Sequence, residues 1–209
     1  MADDTKTWTL IHAERAAVAD MIEGLSAEQW DRPSLCAGWT VGFMAGHILN
    51  AAEQTPGNFL AGMVSNGMRF NKYMDRATRA RAGMPQQEIV ERLRRRTTTT
   101  NKPPAPAMAM LGEIVVHGED IRQPLGLQRD VPTDALNACL SMFASTSFPV
   151  GGKRRIAGLR LVATDTGWSH GDGPEVAGPA ASMLLAMTGR AAGVERLSGD
   201  GVATLAERL

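Results

Sequence analysis

Apolar residues recur at helical intervals through the first 125 positions of the chain. Trp8, Ile11, Val18, Ile22 and Leu25 share one face of residues 7–25, with Glu14, Arg15, Asp20 and Glu23 between them, and predict an amphipathic first helix. A connector over 26–39 is broken by Pro33, Ser34 and Gly38; its Trp30 and Trp39 carry more apolar weight than a surface loop needs, so part of it should pack down. Thr40 can cap a second helix running to about Gln54, its hydroxyl accepting from the unpaired N–H groups of the first turn, with Val41, Met44, Ile48 and Ala51 inside. Phe59, Leu60, Met63, Met68, Phe70 and Tyr73 predict a further helix within 58–83, which Gly62 and Gly67 weaken. Pro85 opens a helix over 85–96 around Ile89, Val90 and Leu93. The next runs from Pro106 to Arg122 and stops before Pro124. It reads as the last helix of a four-helix bundle.

After Gly126 the pattern changes. A helix over 133–146 is followed by alternation at 156–164 that suits a strand, a tight turn at Gly171-Asp172-Gly173-Pro174, a short strand over 175–177 and a helix over 179–189. The expected fold is mainly α, with a bundle over 1–126 and a small α/β domain over 127–209.

The chain balances 22 basic against 22 acidic residues, which argues against a general binder of nucleic acid or membrane surfaces. Residues 69–96 nevertheless hold nine basic residues against three acidic, including Arg92, Arg94, Arg95 and Arg96. An anionic partner could dock there, although the run from Arg92 to Arg96 has no interleaved aromatic residues to stack bases, and a solvated helix face is the ordinary reading. No apolar run approaches the roughly 20 residues of a membrane span, and the start of the chain, with Asp3 and Asp4, is acidic where a signal peptide would be basic. A cytoplasmic location is expected. Cys36 and Cys139 have no C-x-x-C spacing and read as two buried thiols.

Chemistry concentrates in the segment from Met110 to Arg122. At about 100° per residue, Glu113, His117 and Asp120 share one stripe of a helix. Met110, Ile114 and Ile121 flank that stripe on one side and Val116 on the other, so it should face the bundle interior. A buried carboxylate or imidazole is costly unless it is paired, hydrogen-bonded or bound to a metal, and Glu at i with His at i+4 can grip one ion. His47, beside the inward stripe of the second helix, is the natural third ligand. Such a set, two histidines and one carboxylate with an open position, suits zinc or another divalent transition metal. A hydrogen-bonded structural pair is the competing reading. Asp120 either solvates the helix end or orients a ligand. His12 is expected at the surface and His170 in a turn. No G-x-S-x-G, P-loop or dinucleotide fingerprint is present.

The segment from Trp30 to Leu49, with Leu35-Cys36-Ala37-Gly38-Trp39-Thr40-Val41 and His47, and the later Gly112-Glu113-Ile114-Val115-Val116-His117-Gly118-Glu119-Asp120-Ile121-Arg122, resemble the DinB-like family of mycothiol-dependent maleylpyruvate isomerases. The tail, with Gly167-Trp168, Gly178-Pro179 and Leu184 to Arg190, resembles that family's small C-terminal domain. The resemblance implies a DinB-like four-helix bundle holding a divalent metal, usually zinc, on His47, Glu113 and His117. It also implies mycothiol as cofactor or co-substrate, acting as a thiolate nucleophile in either S-transfer or cis–trans isomerisation. The expected partners are therefore a small thiol and a small electrophile, with a homodimer as an open option. Asp120, Arg122 and Arg190 are the candidate catalytic residues, the two arginines as clamps for a dicarboxylate. A non-catalytic metal- or ligand-binding protein of the same fold is the alternative.

Overall fold

The computed structural model describes residues 2–209, with side chains from Asp4 onward. The chain divides into two compact units, Met1–Leu127 and Gln128–Leu209. The first contains α1 (Ala2–Glu23), α2 (Ala27–Asp31), α3 (Val41–Glu53), α4 (Pro56–Ser65), α5 (Phe70–Ala82), α6 (Gln86–Arg94) and α7 (Ala107–Leu125). α1 packs on α6 and α7, while α3 packs on α5, α6 and α7. The core between them is built from Ile11, Val18 and Ile22 of α1, Met44 and Ile48 of α3, Ile89 and Leu93 of α6, and Leu111, Val115 and Ile121 of α7, all buried. Thr40 caps α3 as its sequence position suggests, its Oγ1 accepting from Phe43 N at 3.1 Å.

The connector does pack down. A reciprocal cap between Ser26 and Gln29 starts the short α2, and the Trp30 indole fills the space over Gly42, where a Cβ would lie 2.4 Å from its Nε1. Residues 58–83 depart from expectation by forming two helices. Gly67 and Met68 take left-handed conformations, with φ of 65° and 60°, and Asn66 Nδ2 closes the end of α4 on the Gly62 carbonyl at 2.8 Å.

α7 also runs further than expected, through Pro124 to Leu125. Proline in the last turn has no N–H for the carbonyl of residue 120. That carbonyl instead accepts from Leu35 N at 3.1 Å, so the proline tolerated by the helix end also supplies an anchor for the connector.

Asp20 and Glu23 of α1 are exposed, but not all its polar residues line a solvent face. Glu14 and Arg15 are buried and His12 is half-buried, correcting its expected surface position. Arg15 Nη1 donates to the Arg96 and Thr99 carbonyls at 3.0 Å each, and His12 Nε2 lies 3.1 Å from the Thr99 carbonyl. These residues satisfy acceptors left open where α6 ends. Burial and the neighbouring Arg96 charge pull the Arg15 pKa down to about 10.

Much of the basic stretch is likewise committed. Arg81 and Arg92 converge on buried Glu53, Arg94 pairs with Asp20 and Glu23, and Arg79 pairs with Asp75.

The second unit contains α8 (Thr133–Ser145), α9 (Gly152–Arg155), β1 (Arg160–Ala163), β2 (Ser169–His170), β3 (Glu175–Gly178), α10 (Ala180–Met187), a 3-10 helix over Ala191–Arg196 and α11 (Val202–Ala206). The sheet order is β2-β1-β3, with β1 antiparallel to β2 and parallel to β3; Leu161 lies opposite both His170 and Val176. The strand expected over 156–164 contracts because residues 152–155 turn helical and 156–158 form a turn. His170 lies in β2, not in a turn, exposed and stacked on Trp168. Cys139 is buried, as expected.

Candidate metal centre

Three helices build the centre. Gly46 lets α3 and α5 come together, since a Cβ there would lie 2.5 Å from the backbone nitrogen of Ala82. One turn earlier on α5, buried Thr78 reaches the next residue of α3, with Oγ1 3.2 Å from His47 Nδ1. α7 supplies the rest at the i, i+4 and i+7 positions of its inward stripe.

Glu113 Oε1 lies 2.7 Å from His47 Nε2 and 3.5 Å from His117 Nε2. The two imidazoles stand edge to face, with centroids 4.8 Å apart, and one donor atom from each of His47, Glu113 and His117 lies within 4.8 Å of the others. On the far side of its ring, His117 Nδ1 lies 2.7 Å from Asp120 Oδ2. Asp120 is wholly buried, which removes the reading that it solvates the helix end. Its carboxylate can only accept, so Nδ1 of His117 carries the proton.

Both histidines thus engage Nδ1 with an outer partner and direct Nε2 at Glu113. This arrangement fits a metal: the outer hydrogen bonds fix ring orientation and leave Nε2 as the ligating atom. Without an ion, the site is held by protons. Burial works against the imidazolium of His117, but the Glu113 charge, the Asp120 hydrogen bond and charge, and a hydrogen bond with Cys36 outweigh it and hold the pKa up at about 10. Metal binding must displace such a proton.

Cys36 was expected to be a buried thiol. It is half-buried, and its Sγ donates to Asp120 Oδ2 at 3.3 Å. Cys36, His117 and Asp120 form a second close set of donors, but the proton between His117 and Asp120 makes them a support for the first set. The Trp39 ring lies tilted against His47, with centroids 5.0 Å apart, and Phe43 lies tilted against Trp39 at 4.7 Å, giving one side of the centre an aromatic wall.

The other sequence candidates lie elsewhere. Arg122 is buried, and its Nη1 donates to Glu119 Oε1 at 3.0 Å. That nitrogen and Val18 of α1 both crowd the position of a Cβ on Gly118, so the guanidinium faces α1, away from the stripe that carries Glu113. Arg190 belongs to the second unit, where its Nη1 donates to the Thr188 carbonyl at 2.8 Å. Thr78 and Cys36 were missed as members of the site. Thr78 gave no signal within its basic helix, whereas Cys36 lay inside the segment that carried the family resemblance.

Residues 11–107 match the family model described as the mycothiol maleylpyruvate isomerase N-terminal domain. The match lies within the first unit. Two crystal structures are similar to it over 94% of this chain and 92% of theirs: mycothiol-dependent maleylpyruvate isomerase, at 12% identity and a TM-score of 0.63, and a histidine-to-alanine mutant of that enzyme, at 13% and 0.63. At such identities the likeness is one of fold. No curated protein sequence matches the chain. Among the described residues, no helix is long and apolar enough to cross a membrane.

Proposed function

We propose that this protein is a divalent-metal- and thiol-dependent enzyme of the maleylpyruvate isomerase type. The observation that carries the reading is the convergence of His47 Nε2, Glu113 Oε1 and His117 Nε2, with Thr78 and Asp120 holding the outer nitrogens of the two rings. His47, Glu113 and His117 hold the ion, with zinc or a similar transition metal best suited to two imidazoles and one carboxylate.

A metal and a small thiol such as mycothiol together supply a thiolate nucleophile at neutral pH, which can add to an electrophilic carbon and either leave again or remain attached. The protein's residues prepare that chemistry. Asp120 keeps a proton on His117 Nδ1 and so reserves Nε2 for the ion, and the Asp120 charge raises the basicity of the ring. Thr78 fixes the plane of His47. Trp39 and Phe43 shield one side from water. Arg122 is no part of this proposal because its guanidinium faces α1 and pairs through Nη1 with Glu119. A reactive small thiol requires a reducing compartment, which favours the cytoplasm.

The test is to incubate metal-loaded protein with mycothiol and a panel of electrophiles that includes maleylpyruvate. Isomerisation predicts conversion of maleylpyruvate to its trans isomer with no net loss of thiol, whereas S-transfer predicts stoichiometric loss of thiol. Absence of turnover across the panel, with metal bound, would instead indicate a binding protein of the same fold.

A further inference from the structure

At one place the second unit gathers three arginines with no carboxylate paired to them. Arg154 and Arg155 close α9, and Arg208 reaches them from the end of the chain; with Gly151 and Ala157 they line an open pocket of about 420 Å³. Some of their donors have structural work. Arg155 donates through Nη1 to the Val150 carbonyl at 2.9 Å and to the Met187 carbonyl, and through Nε to the Arg208 carbonyl at 3.2 Å. Arg208 Nη1 returns to the Arg155 and Ala157 carbonyls, each at 2.8 Å.

The remaining donors converge. Gly151, at φ 80°, has no side chain; the position a Cβ would take there lies 3.3 Å from Arg154 Nη2 and 3.8 Å from Arg155 Nη2. The second of these nitrogens also lies 3.1 Å from the Cβ position of Gly189. Two glycines therefore leave space around guanidinium nitrogens that a larger residue would fill. Among the described residues, no carboxylate forms an ion pair with Arg154, Arg155 or Arg208.

Like charges held together without a counter-ion repel, and they persist at low cost only when solvent or an anion screens them. Burial, followed by the neighbouring charges of Arg154 and Arg190, lowers the Arg155 pKa. This contrasts with the basic stretch of the first unit, where Arg79, Arg81, Arg92 and Arg94 all have carboxylate partners.

We infer that Arg154, Arg155 and Arg208 form a binding site for a small doubly charged oxyanion. The guanidinium fork matches the oxygen geometry of phosphate and carboxylate alike, so a phosphate-bearing ligand and a dicarboxylate share the required chemistry. The site is built wholly within the second unit and does not depend on the metal centre.

The test uses the full chain at low ionic strength, titrated calorimetrically with inorganic phosphate in one arm and succinate in the other, and with chloride as a monovalent control. Saturable binding of either dianion, in preference to chloride, is expected, and the tighter arm identifies the source. Among the described residues the Arg154 guanidinium makes no hydrogen bond or ion pair, and the backbone bond of Arg154 N to Ser147 Oγ survives substitution, so Arg154→Glu should fold normally and weaken that binding by about tenfold or more, while bound metal stays unchanged. Arg154→Lys should recover part of the affinity. No saturable binding in either arm, or equal binding by wild type and Arg154→Glu, overturns the proposal.

Discussion

Two carboxylates of the first unit each sit between two basic side chains, and both clusters draw on α3. Glu53 receives Arg92 Nε at 2.9 Å, Arg92 Nη2 at 2.8 Å and Arg81 Nε at 2.9 Å. Glu113 faces His47 Nε2 at 2.7 Å and His117 Nε2 at 3.5 Å. The difference lies in the bases. A guanidinium stays protonated at any pH the fold survives, so the cluster around Glu53 is closed by fixed donors and can serve only to clamp α3, α5 and α6 together. An imidazole can give up its proton and present a lone pair. The cluster around Glu113 is therefore exchangeable, and an ion can occupy the place of protons.

The comparison breaks most readily at the ligands. Reconstituted wild-type protein is expected to hold about one divalent ion per chain, with His47→Ala and His117→Ala each losing more than the ~100-fold affinity that removal of an outer partner costs. Elemental analysis and chelator competition measure this. Wild-type protein that retains no ion would overturn the reading of the site.

The pH dependence of metal-free protein sharpens the contrast next. Because His117 is raised from 6.5 to about 10, its proton is bound more tightly in the folded than in the unfolded chain. The resulting stability is complete below about pH 6.5 and is lost as the pH rises towards 10. A fall on the order of a few kcal/mol is expected across that interval, read as a declining urea midpoint. Metal-loaded protein, with Nε2 already deprotonated, should not follow the same curve, and the arginine cluster adds nothing to the slope. A flat metal-free profile would remove the distinction drawn here.

Glu53→Ala probes the closed cluster. Leaving two arginines without their shared carboxylate should destabilise the protein by about 2–3 kcal/mol, below the usual cost for a fully buried pair because Arg81 and Arg92 can still reach water. Urea denaturation of the variant should show this loss while its metal content stays at the wild-type level. Loss of metal would mean that the two clusters are coupled through α3.

The legible parts of this site were those written within one helix. Glu113, His117 and Asp120 fall on one stripe through helical periodicity alone, and apolar flanks turned that stripe inward. His47 was readable because the inward face of its own helix was clear. What periodicity does not carry is contact between distant segments. Thr78 lies on a helix whose surroundings are basic and polar, and only the close passage of α5 over Gly46 brings it to His47. Cys36 reaches Asp120 because Pro124 frees a helix carbonyl for Leu35; in the sequence that proline signalled only an end. The same limit explains Arg122, whose position just past the stripe suggested a clamp until its burial beside Glu119 was visible. It explains Arg15 as well, whose polar character hid a role in closing the carbonyls after α6.

The smallest of these effects belongs to Asp120, and it tests how far exchangeability depends on support outside the ligands. Asp120→Asn preserves volume and an oxygen that can accept from His117 Nδ1, but it removes the buried charge. The imidazole should become less basic, and metal affinity should fall by about 10- to 100-fold. Because that lost charge also favours the His117 proton in metal-free protein, the same variant should lower the pH at which metal-free stability declines. A purely structural role for Asp120 predicts a change in overall stability without that shift. The two shifts together would place Asp120 as the residue that sets the strength with which His117 holds either a proton or an ion, a control that no residue around Glu53 can exert over its permanently charged partners.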